Sequence, residues 1–288
     1  MSSSPETKNP IAAVAQMRST SDKVRNLMDV AVCARMARSE GASMLFLPEC
    51  FGFIGESAAE TFGAAEDPAC LSPMSADRSG GDPDPPPRKN EKELTELLTS
   101  IVRGSDDDDD GGGGTTTDPG NPNPPSPPVV PVVHSLMDGL RTIARESGLW
   151  ISGGGMHVAG APPPDDENDS DSSSSTPGGR QQRVYNTHVI LDSNGSLVAR
   201  YRKIHLFDVS IPGKVELKES RTTAPGTELV VCDSPVGRLG VTVCYDLRFP
   251  EVYTTLTSAT MGARVLLVPS AFTVPTGAAH WHALLRGT

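Results

Sequence analysis

Apolar positions recur in two different periods along the first fifty residues. Ile11 to Met17 reads as a short apolar strand. From Asp22 to Arg38, Val24, Leu27, Met28, Ala31, Val32 and Met36 fall at the three- and four-residue spacing of one helix face. Gly41 closes that helix and Met44-Leu-Phe-Leu47 forms a second strand. A β-α-β opening builds a parallel layer. The pattern resumes at Ser135, where Leu136, Leu140, Ile143 and Ala144 mark a helix to Glu146, stopped by Gly148. Leu149 to Ser152 is a strand, Gly153-Gly-Gly155 follows, and Met156-His-Val158 reads as more strand. Val184 to Leu191 and Ser196 to Arg202 flank Asp192-Ser-Asn-Gly195, a hairpin signal because Asn-Gly accepts positive φ. Leu239 to Val243 is a buried-strand run, Pro250 opens a helix to about Ala259, and Val265 to Val268 is a last strand.

Two stretches break the pattern. Residues 73–133 contain Pro85-Pro-Pro87, the run Asp106 to Asp110, four glycines from Gly111 and a Pro-rich segment to Pro128; residues 161–182 are equally polar. Such sequence buries too little apolar area to offset ordering, so both are expected as surface insertions in a single domain spanning 1–288. Within the first, Leu94, Leu97, Leu98, Ile101 and Val102 have the spacing of one amphipathic helix of three turns. The insertions also account for the charge. The net value is −11, but residues 73–133 carry 5 basic and 12 acidic side chains and residues 161–182 carry 1 and 5, leaving 19 of each sign elsewhere. A neutral remainder with no basic stripe argues against nucleic acid. No apolar run is long enough to span a bilayer. The start lacks a signal or transit pattern. Five scattered cysteines fit a reducing compartment, so a cytoplasmic location is expected.

Three residues sit where strands end. Glu49 follows Met44–Leu47, Lys203 follows the second hairpin strand, and Cys244 follows Leu239–Val243 on a tight turn into the Pro250 helix. Functional groups of open α/β sheets collect at such carboxyl ends. Each has a plainer reading: Glu49 as a helix cap or surface charge, Lys203 as an exposed lysine, Cys244 as a small buried apolar residue. Taken together they support acyl transfer. A carboxylate takes the thiol proton, the thiolate attacks an amide carbonyl, and an ammonium and the Tyr245 N–H stabilise the oxyanion. No metal or organic cofactor is expected. The aspartate run lacks the alternation of a calcium loop, the Gly run lacks a following G-K-[ST], and His280 and His282 point different ways on a helix.

Phe46-Leu-Pro-Glu49, Tyr201-Arg-Lys203-Ile-His-Leu and Val243-Cys-Tyr-Asp-Leu-Arg248-Phe-Pro-Glu251, in that order, resemble the nitrilase superfamily of carbon–nitrogen hydrolases. The resemblance implies a Glu49–Lys203–Cys244 triad, with Glu219 as a second glutamate orienting the lysine and substrate. It implies an α/β fold, an α-β-β-α sandwich, assembled as a homodimer or higher homo-oligomer. Ile211-Pro-Gly-Lys-Val, Arg248-Phe-Pro-Glu251 and Pro269-Ser-Ala-Phe272 look most like the branch of deaminated glutathione amidases, including the Nit part of Nit–Fhit fusions. The implied substrate is a small 2-oxo acid amide, with an ω-amidase acting on α-ketoglutaramate as the near alternative and an inactive interaction protein as the distant one. Arg248 is either a carboxylate anchor or half of an ion pair at the helix start. The family pattern continues beyond the motif at Trp281–Arg286, so a C-terminally incomplete sandwich lacking its last strands, a fragment of low activity with an exposed apolar edge, is expected.

Overall fold

The computed structural model of the chain describes residues 9–72, 89–104, 135–161, 183–211 and 215–288. Of the expected insertions, 161–182 lies outside the described residues apart from Ala161, and 73–133 apart from 89–104. Pro212 to Lys214 of the Ile211 motif also fall outside.

Strand β1 (Ile11–Val14), helix α1 (Lys23–Ser39) and strand β2 (Ala42–Phe46) open the fold as the periodicity predicts. Asp22 caps α1 by accepting from the Arg25 N–H. The buried face of α1 is only partly the expected one. Val24, Leu27, Val30, Ala31, Ala34 and Ala37 face inward, whereas Val32 and Met36 are exposed. Small alanines let the helix approach the sheet, and the larger Met36 is left outside.

Helix α2 (Ala58–Ala64) follows on the surface, and then α3 (Lys89–Arg103), inside the first expected insertion. Here the expectation of a surface segment is corrected. Leu94, Leu98 and Val102, one per turn, are buried in the same apolar cluster as α1 and α4 (Leu136–Ser147). Ser135 caps α4, and Gly148 ends it in the left-handed conformation at φ 68°.

Strands β3 (Trp150–Ala161), β4 (Arg183–Leu191) and β5 (Leu197–Arg202) complete a five-stranded sheet of order β1-β2-β3-β4-β5. β1, β2 and β3 pair in parallel, while β4 and β5 are antiparallel additions. β3 runs unbroken through the three glycines, longer than the two short strands expected. A small ribbon, β6 (Asp208–Ile211) and β7 (Val215–Lys218), was not foreseen; nor was β8 (Val230–Cys232). β8 pairs with β9 (Leu239–Val241), then comes α5 (Pro250–Leu256), and β10 (Val265–Leu267) pairs in parallel with β9. Helix α6 (Val274–Gly287) ends the chain.

Period-two alternation sorts side chains into layers. On β2, Leu45 faces α1 and α4 while Met44 faces the three-stranded sheet; on β4, Val189 and Leu191 face the helices while Ile190 faces inward. Met44, Ile190 and Tyr201 pack against Leu239, Val241 and Leu267, so the two sheets lie face to face. Val252, Tyr253 and Leu256 of α5, with Trp281 and Leu284 of α6, cover the other side. The result is an α-β-β-α sandwich, as expected. Among the described residues no helix is long and apolar enough to cross a membrane.

One polar spacer joins the sheets. His188, fully buried on β4, contacts Ser152 Oγ through Nε2 at 2.7 Å and the Thr242 carbonyl through Nδ1 at 2.9 Å. A carbonyl accepts only, so Nδ1 carries the proton and Nε2 accepts from Ser152. Burial pushes the His188 pKa down to about 4, against the partial opposition of the Thr242 hydrogen bond.

Two outcomes follow from this packing. Leu98→Ala should lower the unfolding free energy by about 2–5 kcal/mol in urea titrations, the range for a core leucine, rather than the few tenths of a surface site. Because His188 folds neutral, the unfolded chain binds the extra proton between its ordinary value and about 4. Stability should therefore fall as pH drops from about 6.5 to 4, and His188→Gln should flatten that part of a plot of urea midpoint against pH.

Candidate active site

Glu49, Lys203 and Cys244 each lie just beyond a strand of the two facing sheets, and their side chains come together there. Glu49 lies just beyond β2 and is 7% exposed. Its turn is tight: Cys50 adopts φ 56° and donates its N–H to the Gly155 carbonyl at 2.8 Å. Gly154 makes this possible, because a Cβ there would overlap the Pro48 carbonyl oxygen and its φ is itself positive. The Gly run thus serves close backbone packing beside the site, as the sequence suggests.

Lys203 lies just beyond β5 and is 3% exposed, which disposes of the exposed-lysine reading. Its Nζ donates to Glu49 Oε1 at 3.4 Å and to both oxygens of Glu219, at 3.1 and 2.9 Å. Burial alone would lower the lysine pKa, yet Glu49 and Glu219 outweigh it and hold the ammonium well above its ordinary value. Glu219 begins a one-turn 3-10 helix and is fixed in turn by the Phe207 N–H, 2.6 Å from Oε2. Glu219 therefore lies against the lysine, the neighbour that the resemblance implies for it.

Cys244 starts a 3-10 helix, Cys244–Arg248, with φ 46°. A non-glycine residue in this region is strained, and the strain turns the side chain out of the strand direction. Its N–H is held by the Pro269 carbonyl at 2.9 Å. Burial first, then the charge of Glu49 and a hydrogen bond with it, push the thiol up to about 12, offset in part by Lys203 and the Ala271 N–H. The sulfur therefore rests as a thiol with a carboxylate in contact, a pair arranged for proton transfer. The same Ala271 N–H lies 3.0 Å from Glu49 Oε2.

Tyr245 follows on the turn, its ring edge-on to Phe207 and Phe249 at 5.1 and 5.8 Å. Arg248 is exposed, with its guanidinium 5.8 Å from the centre of the Tyr245 ring, and it makes no ion pair among the described residues. Cys50, beside the triad, is a second thiol lifted well above its ordinary value by burial and by Glu49. No cluster of three or more His, Cys, Asp or Glu suited to a metal occurs among the described residues.

Two contributors escape the sequence reading. Asp246, fully buried, accepts from Tyr201 Oη at 2.7 Å, Val243 N at 3.0 Å, His205 N at 3.0 Å and His205 Nδ1 at 2.8 Å. It ties the loop after Lys203 to the turn bearing Cys244. Asn186, on β4, donates Nδ2 to Glu49 Oε1 at 2.9 Å. A weak signal was present for both: each is a polar residue in or beside a strand expected to be buried, a position that requires partners.

With this geometry in place, the likenesses to known proteins are informative. The family described as Carbon-nitrogen hydrolase matches residues 119–288. The deaminated glutathione amidase of Homo sapiens is 35% identical over 285 residues, covering 99% of this chain and 62% of that protein. An omega-amidase of Saccharomyces cerevisiae is 43% identical over 107 residues, 37% of this chain and 36% of that protein. The solved structure of the C. elegans NitFhit protein superposes with a TM-score of 0.58 at 31% identity, covering 96% of this chain and 47% of that one. The chain spans 46% to 64% of the length of the deaminated glutathione amidases it matches. From its matched sequence, its sandwich and its likeness to these proteins, the chain belongs to the carbon–nitrogen hydrolase family.

Proposed function

We propose that the chain is an amidase working through a Cys244 thioester, with deaminated glutathione as its substrate. The observation that carries this reading is that Glu49, which accepts from Lys203 Nζ at 3.4 Å, is also the charged group that holds the proton on the Cys244 thiol. Glu49 takes the proton from sulfur and the thiolate bonds to the amide carbon. Lys203 Nζ and the Tyr245 N–H bind the oxygen as it gains charge. Glu49 then returns its proton to the amide nitrogen, the C–N bond breaks and the amine departs. A water gives a proton to Glu49 and attacks the thioester; the acid leaves and the thiol is restored. A carboxylate is needed because a thiol held at about 12 is almost wholly protonated at neutral pH.

The choice of substrate rests on the reach of the likeness. In sequence, the deaminated glutathione amidase of Homo sapiens matches 99% of the chain and that of Dictyostelium discoideum 52%, whereas the omega-amidase matches 37%. The exposed Arg248, beside the Tyr245 ring, is the proposed anchor for a substrate carboxylate. Rates on deaminated glutathione and α-ketoglutaramate, measured side by side, decide between the two; a preference for the latter replaces this substrate with the smaller one.

Cys244→Ala should abolish turnover and leave the melting temperature near that of the parent, and intact-mass spectrometry of the quenched wild type should find the acyl adduct on Cys244. Turnover that survives the substitution removes the mechanism. Glu49→Gln separates charge from base: turnover should fall by roughly 10²–10⁴. Alkylation of Cys244 by iodoacetamide at pH 8 should nonetheless become faster, since removing the carboxylate charge lowers the thiol from about 12.

A further inference from the structure

Asn186 occupies an unusual position for a strand residue. It is 2% exposed, and its Nδ2 donates to Glu49 Oε1 at 2.9 Å while its Oδ1 has no hydrogen-bond partner. Turned over, the amide would set oxygen against a carboxylate oxygen, so the polarity of Glu49 fixes its orientation. Leaving an acceptor buried and unpaired is destabilising, and an apolar side chain would fill the strand without that penalty. The cavity is shaped for the amide all the same. Gly155, on the neighbouring strand, has no Cβ; one built there would overlap Asn186 Oδ1. The main chain of Asn186 does related work, its carbonyl accepting from the Lys203 N–H at 2.9 Å.

We infer that Asn186 is the positioning residue of the site, holding the Glu49 carboxylate by one amide donor in the orientation that faces both Lys203 and Cys244. Three donors then surround that carboxylate: Asn186 Nδ2 and Lys203 Nζ at Oε1, and the Ala271 N–H at Oε2. The last two lie on elements that bear other parts of the site. Asn186 alone of the three uses a side chain with no second hydrogen bond, so its amide is dedicated to aiming the base. The inference rests on the amidase reading, since it assigns Glu49 the proton transfers.

Asn186→Leu and Asn186→Ala test it in the full chain. Leu branches at the same carbon as Asn and fills the space without a donor or a charge. A residue that merely fills space tolerates Leu better than Ala. A donor that aims the carboxylate does not. Both variants should lose about 10²-fold in kcat on deaminated glutathione with KM within about twofold of the parent, and Leu should be no better than Ala. Activity of Asn186→Leu near the parent with Asn186→Ala impaired, or both near the parent, overturns the assignment. A crystal structure of Asn186→Ala reads the geometry with no substrate involved. Glu49 should swing away from Lys203 Nζ; a carboxylate that stays in place overturns the inference even where turnover is lost. Absence of activity in the parent itself refutes the amidase reading instead, and leaves the crystallographic result to decide the positioning role.

Discussion

A buried ammonium shared by two carboxylates is the constraint on which the fold depends. Lys203, Glu49 and Glu219 are each expensive to bury alone, and each becomes tolerable because the others are within hydrogen-bonding reach. This requires three separate pieces of chain, the ends of β2 and β5 and the turn after β7, to arrive together to within a few tenths of an ångström. The sheets supply that accuracy: parallel and antiparallel ladders fix where a strand ends, and the carboxyl ends of β2 and β5 carry the charged residues as their continuation. A pairing slip of one residue would send Lys203 to the opposite face and strand two acids without a counter-ion.

Asp246 does for the turn what the lysine does for the acids. Four donors converge on it, two from the chain after Lys203, one from the strand before Cys244 and one from Tyr201. A buried carboxylate with four donors is fully satisfied and rigid. The His205 ring stacks on Phe249 with centroids 3.5 Å apart and so is held from a second side. The lysine loop and the thiol turn are thereby clamped to each other independently of the triad's own contacts.

The sequence was a good guide wherever one physical period dominated. α4 and the β4–β5 hairpin were legible because 3.6- and 2-residue periods and a strong stop, Gly148 or Asn194-Gly195, agree there. α1 was found but its face partly misjudged, because size competes with hydrophobicity at a helix–sheet contact: alanines pack closely where Met36 cannot. α3 has the clearest apolar stripe in its region, yet the Pro, Gly and Asp runs around it argued for solvent. The helix itself was legible, but composition averaged over sixty residues hid that its Leu94, Leu98 and Val102 complete the core. Glu49, Lys203 and Cys244 were legible as candidates from strand ends and motif order together, and Glu219 only through the family resemblance. Asn186 was passed over, because beside the polar Thr187 and His188 of the same strand nothing in the sequence says which polar residue meets Glu49.

The left-handed backbone at Cys244 has a consequence for descent. A residue with a Cβ is uncomfortable at φ 46°, and glycine or asparagine would sit there with less strain. In the proposed mechanism the sulfur is the reason for a cysteine at this turn. In a lineage that no longer needed the chemistry, drift would run downhill towards glycine or asparagine at 244, so the amino acid found there in each descendant serves as a record of whether selection for the reaction has continued.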